Sequence, residues 1–338
     1  MIKQRSLWVF LAASLLAHAA SSQTAPDQTF LYYARGNNAQ LIYQKTGDDS
    51  ASINIYDFRE NGDYATLQSE VVPQGGSLVA GKGAGDQQSI SLKISPWPSH
   101  STIQVTATDR SQSFDASGEY QPLDGNTMRK TAAKHFSDAD LELNIVYKDV
   151  MAKLKPANVN ALRQFQREWA NDRDDSAHTL VHFNYGDLNT EDEQIAFELT
   201  RTIDTLDRIK LLRGVPAAMS SPGLTGTYST NWGSTLSIDE QNGEVRFEIS
   251  AFNRRDGSTG DLIGTAKLKG NKIHWVDTED PQPDPETGQP AEVTITFAPN
   301  RMATVESKND ESYHGAAIMF SGDYLRTSAN RPEIGDTK

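Results

Sequence analysis

Apolar and polar positions alternate along three stretches in the first part of the chain. They are Ser52-Ile53-Asn54-Ile55-Tyr56-Asp57-Phe58, Ser89-Ile90-Ser91-Leu92-Lys93-Ile94 and Thr102-Ile103-Gln104-Val105-Thr106. A period of two places every second side chain on one face, which predicts half-buried strands of an antiparallel sheet. Turns rich in Gly, Asn and Asp separate such runs across about residues 29–124. Pro96 and Pro98, with Trp97 between them, break the alternation and predict a turn.

The period changes across about residues 137–213. Leu143, Tyr147, Val150 and Leu154 recur at steps of three and four, and Lys155-Pro156-Ala157-Asn158 ends that helix. Leu162, Phe165, Gln166, Trp169 and Arg173 mark one face of a second helix, and Ile195, Leu199, Ile203, Leu206 and Ile209 a third. Gly214 and Pro216 are expected to close the helical stretch. Alternation returns over about residues 223–327, in Glu244–Ile249, Val293–Phe297 and Met302–Val305. Residues 328–338 are polar and read as a loose tail.

The two alternating regions match in order. Ser52–Phe58 corresponds to Val245–Phe252, Ser89–Ser95 to Glu292–Ala298, and Ile103–Thr108 to Met302–Ser307. Each region ends alike, in Ser117-Gly118-Glu119-Tyr120 and in Ser321-Gly322-Asp323-Tyr324. The expectation is an α+β multidomain chain: a module of about three helices between two antiparallel β-modules that look like a repeat. Each β-module would be a small barrel or curved sheet.

The first residues change the picture of where the chain works. Lys3 and Arg5 precede an apolar run, Leu7–Ala17, too short to span a bilayer, and Ala17-His18-Ala19 fits a small-x-small cleavage site. Residues 1–19 therefore read as a secretory signal peptide, with a periplasmic or secreted mature chain that does not span the membrane. The chain has 338 residues and a formal charge of −13. Loss of Lys3 and Arg5 takes that to −15. An acidic chain repels phosphate backbones, so nucleic acid is excluded as the expected partner. The chain holds no cysteine, which excludes disulfides, thiol catalysis and thiolate metal sites.

Candidate chemistry is sparse. His178 and His182 stand four apart, as a metal pair on a helix requires, but Thr179 occupies the position where the zinc-protease motif needs Glu. Asp277, Glu279, Asp280, Asp284 and Glu286 crowd a Pro-rich stretch; their spacing is not that of a calcium loop, and they read as a solvated hairpin tip. Gly75-Gly76 and Gly81-Lys82-Gly83-Ala84-Gly85 lie between strand patterns and read as turns rather than as a phosphate loop. No catalytic residue, metal ligand or cofactor is expected. Trp169 should bury its ring against a neighbouring helix and occupy its indole N–H, and Arg173 should hold a carboxylate such as Glu142 or Asp140.

The helical residues carry a resemblance. Asp140–Lys148, Leu154, Leu162–Trp169 and Arg173-Asp174 resemble the N-terminal domain of the lysozyme inhibitor LprI family, with its Leu-Asn-x-x-Tyr helix and Leu-x-x-x-Gln-x-x-Trp-x-x-x-Arg helix. The motif positions here are Leu143, Asn144, Tyr147, Leu162, Gln166, Trp169 and Arg173, read as structural; Leu199-Thr200-Arg201 and Leu206 resemble its closing helix. The match spans about residues 131–213. It implies an exported, non-catalytic envelope protein that binds and inhibits lysozyme by occlusion. The alternative is a periplasmic structural or adaptor protein that binds another envelope protein or a cell-wall polymer. The family implies no residue set for the binding surface.

Overall fold

The computed structural model describes residues 30–36, 39–45, 51–59, 63–75, 77–80, 90–96, 101–109, 114–185, 188–231, 233–252, 258–278, 284, 287–315 and 318–335. The signal-peptide reading of residues 1–19 lies outside the described residues, as do Trp97, Pro98, Gly76 and the Gly81–Gly85 run.

The first alternating region forms β1 (Phe30–Arg35), β2 (Ala39–Lys45), β3 (Ala51–Phe58), β4 (Tyr64–Gln74), β5 (Ser77–Ala80), β6 (Ile90–Ser95), β7 (Ile103–Asp109), β8 (Phe114–Asp115) and β9 (Gly118–Leu123). Each strand from β1 to β7 pairs antiparallel with the next. β7 then pairs with β9, and β9 returns to β1. The sheet thus closes on itself as a barrel of eight strands, with β8 a two-residue spur on β7. Its interior is packed with side chains such as Tyr33, Leu41, Ile53, Ile55, Leu67, Ile94, Val105 and Tyr120, as expected of a barrel this narrow. Gly75 makes the β4–β5 turn at a φ of +56°.

Three long helices follow: α1 (Gly125–Lys153), α2 (Pro156–Tyr185) and α3 (Thr190–Ser220). Asp124 starts α1 by accepting the Thr127 N–H at 2.9 Å and the Thr127 hydroxyl at 2.7 Å. Those bonds hold the Asp124 carboxyl below its ordinary range. Pro156 opens α2, where a missing N–H costs nothing. Asn189 caps α3, accepting the N–H groups of Glu191 and Asp192, and three acidic residues in the first turn suit the positive end of the helix.

The second alternating region forms β10 (Gly226–Ser229), β11 (Thr235–Gln241), β12 (Glu244–Phe252), β13 (Thr259–Lys267), β14 (Lys272–Val276), β15 (Glu292–Phe297), β16 (Met302–Lys308) and β17 (Gly322–Ser328). Their order in the sheet is β13-β12-β11-β10-β17-β16-β15-β14, all antiparallel. First and last strands pair here too, β10 with β17. The fold is α+β, with three helices between two similar antiparallel barrel-like modules.

The matching endings adopt one local structure. The Tyr120 hydroxyl donates to the Ala116 carbonyl at 3.1 Å, and the Tyr324 hydroxyl to the Phe320 carbonyl at 2.8 Å. The Ser117 hydroxyl oxygen accepts the Ala107 N–H, as that of Ser321 accepts the Ser307 N–H. Gly118 and Gly322 have φ of +152° and +156°, which side-chain-bearing residues rarely adopt. Strand β10 carries the arrangement a third time: Gly226 has φ +149°, and the Tyr228 hydroxyl donates to the Leu224 carbonyl.

The described residues fall into two compact units. One takes β1–β9, α1 through Ala139 and α3 through Leu206; the other takes α1 from Asp140, α2, α3 from Asp207, and β10–β17.

Four expectations need correction. Strands β1 to β3 are not half-buried: Tyr32, Gln40, Ile42, Gln44, Asn54, Tyr56 and Phe58 are buried on the face turned away from the barrel interior. Residues of the same unit lie on that face. The His135 ring is 4.6 Å from Phe58, His135 Nε2 is 3.0 Å from Gln40 Nε2, and the Tyr32 hydroxyl donates to Asp192.

Gly214 and Pro216 do not end the third helix, which runs on to Ser220. A Cβ on Gly214 would lie 2.6 Å from the Thr327 carbonyl oxygen, so the glycine admits β17 against the helix. The helix end is held instead by Arg326, which is fully buried and donates to the carbonyls of Ala218, Ser221 and Thr225.

Asp277 and Asp284 are not part of a solvated tip. Both are buried, Asp277 accepting from the Tyr313 hydroxyl and Asp284 from the Thr287 N–H; Glu279, Asp280 and Glu286 lie outside the described residues. The tail is polar but not loose over its described part, where Arg331 pairs with Asp239 at 2.7 Å and the Gly335 N–H donates to Glu248.

Candidate functional site

Helices α1 and α2 form a hairpin with a turn at Leu154-Lys155. The motif positions divide between its inside and its surface. Leu143, Leu162 and Trp169 are buried, Tyr147, Gln166 and Arg173 half-buried, and Asn144 exposed. Asn144 turns back on its own helix, donating to the Asp140 carbonyl at 2.8 Å. Tyr147 and Leu143 are one turn apart on α1, as the period of the helix dictates.

Arg173 holds Asp140 at 3.0 Å and its neighbour Asp174 at 2.8 Å. Of the two carboxylates expected, it therefore takes Asp140; Glu142 is taken by Arg213 of α3. The Arg173 guanidinium also stands 5.4 Å from the centroid of the Trp169 ring, a cation–π distance.

The sequence reading missed Arg208. It is 3% exposed, donates to Gln166 Oε1 at 2.8 Å and to the Phe165 carbonyl at 3.1 Å, and lies 4.0 Å from the Phe165 ring and 5.3 Å from that of Trp169. The motif glutamine and tryptophan thus meet one arginine of α3. A signal for it existed: Arg201, Thr205 and Arg208 recur at steps of four and three, a polar stripe on the helix that apolar periodicity discards.

The network leaves the surface of the hairpin to other residues. His178 and His182 are on α2 and exposed. Among the described residues no group of three or more His, Cys, Asp or Glu is placed to hold a metal ion. Leu141 and Ile145, one turn apart on α1, are 64% and 61% exposed. Asp172, Asp174 and Asp175 make the middle of α2 acidic, while Lys148, Lys155, Arg163 and Arg167 stand nearer the turn.

With this geometry in view, comparison with known families gives a match. Residues 121–212 match the family model Lysozyme inhibitor LprI. The matched segment is the helical region, from the end of β9 through most of α3, and carries the Trp169 network. No curated protein and no solved structure gives a match. No helix among the described residues is long and apolar enough to cross a membrane.

Proposed function

We propose that this chain is an exported, non-catalytic envelope protein that binds lysozyme and inhibits it by occlusion. The observation that carries the reading is the match of residues 121–212 to the LprI lysozyme-inhibitor family. Export rests on the signal-peptide pattern of residues 1–19 and on what the family implies.

Charge supports the same partner. Lysozyme is basic, and a chain of formal charge −13 attracts it and speeds encounter. The docking surface in this reading is the acidic middle of α2. Asp175 is exposed and Asp174 keeps 48% of its side chain in solvent. The basic residue among them, Arg173, is shared between Asp140, Asp174 and the Trp169 ring, so with Asp172 and Asp175 the outward charge of this stretch is negative. The buried motif residues then set the shape of the helical surface, and the bulk of the chain covers the substrate cleft.

The test is a lysozyme activity assay with the purified mature chain. Inhibition of c-type lysozyme is expected. It should weaken more than tenfold between about 0.05 and 0.3 M salt, where exposed charges become screened. Substituting Asp172, Asp174 and Asp175 together by Asn should slow association more than it speeds dissociation. Full lysozyme activity at a large molar excess overturns the reading and leaves the adaptor role, which capture of a specific envelope protein by the same chain would then support.

A further inference from the structure

The turn end of the α1–α2 hairpin carries the opposite charge to the chain as a whole. Lys148, Lys155, Arg163 and Arg167 are all exposed, and none of them has a carboxylate partner among the described residues; Arg163 donates to Asn160 Oδ1. Three acidic residues lie within the same reach: Asp149 pairs with Lys153 at 2.5 Å, Glu142 pairs with Arg213, and Glu168 accepts from Gln164 at 2.9 Å, so the local balance stays positive. At 1.5 Å per residue, all four cations lie within about 20 Å of the turn along the helix axes. A cluster of unpaired cations on a chain of charge −13 keeps its local sign, because negative charges farther away than the Debye length, about 8 Å at physiological salt, are largely screened from it.

The same face of α1 carries apolar surface. Leu141, Ile145 and Lys148 succeed each other at steps of four and three, so they lie on one stripe of the helix. Among the described residues, Leu141 and Ile145 rank among the few large apolar side chains left exposed. One cation, Lys148, beside exposed aliphatic side chains on a face of α1, with three more at the turn and on α2, offers the two attractions of an anionic bilayer, headgroup charge and acyl boundary. A soluble polyanion would use only the first.

We propose that the turn end of the α1–α2 hairpin is a docking surface for anionic phospholipid bilayers. Lys148, Lys155, Arg163 and Arg167 meet the headgroups, while Leu141 and Ile145 enter the interface. Binding of this kind is peripheral, reversible and salt-sensitive, and it does not rest on lysozyme recognition, which uses the acidic middle of α2.

Sedimentation with vesicles tests it, using the mature chain with vesicles of phosphatidylcholine alone or with about a third phosphatidylglycerol. The expected result is binding to the phosphatidylglycerol vesicles at low salt and none to the neutral ones. Substituting Lys148, Lys155, Arg163 and Arg167 by Ala should lower partitioning at least tenfold. Leu141→Ser with Ile145→Ser should lower it severalfold while leaving the salt dependence in place. Circular dichroism melts confirm that each variant is folded, and the two-site reversal Lys148→Glu with Arg167→Glu gives an independent loss. No binding to phosphatidylglycerol vesicles overturns the proposal, as does binding that the charge variants leave unchanged. Capture by immobilised polyphosphate without binding to vesicles also overturns it, in favour of a soluble polyanion.

Discussion

Arg208 stands 5.3 Å from the ring centroid of Trp169 and at the same time donates to Gln166 and to the Phe165 carbonyl. One buried guanidinium therefore binds α3 to the second helix of the hairpin at the point where the motif residues of α2 converge. Arg208→Met removes the donors and leaves a half-buried amide oxygen and a buried carbonyl unpaired. The expected cost is about 3 kcal/mol, since each orphaned acceptor costs about 1–3 kcal/mol. Arg208→Lys keeps charge but loses the planar fork, and should recover less than half of that loss. Arg173→Met should cost only about 1 kcal/mol, because its partner Asp140 is 41% exposed and solvent screens the pair. Urea unfolding of the three variants checks the order; a larger loss at Arg173 than at Arg208 contradicts it.

Gly214 gives a test with an unusual sign. Gly→Ala inside a helix normally stabilises by about 1 kcal/mol. Here the added Cβ would meet the Thr327 carbonyl oxygen at 2.6 Å, and that oxygen belongs to a paired strand. Gly214→Ala should therefore lower stability, by about 1–3 kcal/mol. Thermal melts of the variant decide it, and a raised melting temperature would show that β17 yields easily.

These two positions show what the sequence exposes and what it hides. Alternation located β12, β15 and β16, and Pro156 marked the hairpin turn, because each signal is local. The burial of Trp169 and the choice of Asp140 or Glu142 for Arg173 followed from helix spacing. Gly214 was misread because its reason, Thr327, lies far along the chain. Asp277 and Asp284 were misread for the same cause, since Tyr313 and Glu311 supply their partners. Period-two alternation reports one sheet face only, so it could not show that β1–β3 are covered on the other. Arg208 escaped because a charged residue between Asp207 and Ile209 looks solvated until its aromatic partners are seen. The acidic and basic surfaces of the hairpin are visible as residues in the sequence, but their exposure is not.

Tyr120 and Tyr324 provide a matched pair across the two barrels. Each hydroxyl donates to the carbonyl four residues earlier. Tyr120→Phe and Tyr324→Phe should each cost about 1–2 kcal/mol, the cost of a buried carbonyl left without its donor. Costs that differ more than threefold would show that the two endings do not do the same work.

The same tyrosines set the alkaline limit. Burial pushes the Tyr120 phenol up to about 12 and raises those of Tyr228 and Tyr324 above their ordinary value of 10. A phenol raised in the folded state contributes fully below pH 10 and loses that contribution as pH rises through its folded value, because only the unfolded chain ionises readily. Stability should then fall from about pH 10 upward, by on the order of 2 kcal/mol for Tyr120 alone by pH 12. Tyrosinate absorbance should show the exposed phenols ionising first, and the buried ones together with the loss of near-ultraviolet dichroism. Titration of all tyrosines in one step near pH 10 without unfolding would contradict this.

Glu311 gives the opposite limit its detail. Its carboxyl is raised above the ordinary range, first by a hydrogen bond to Asp284 and further by the negative charges of Asp284 and Asp310. A carboxyl raised in the folded state favours the fold while protonated, so its contribution is present below about pH 4 and is lost as pH rises through its folded value. At pH 7 the pair Asp284 and Glu311 is a like-charge contact beside the 3-10 turn Glu311–Tyr313. Glu311→Gln keeps a donor for the buried Asp284 without needing a proton. The variant should therefore be slightly more stable than the parent chain at pH 7, since solvent screens a pair whose Glu311 is exposed, and the advantage should shrink at pH 4. Melts of both proteins across that range check the sign; an advantage that grows toward pH 4 would mean that the contact with Asp284 is not what raises Glu311.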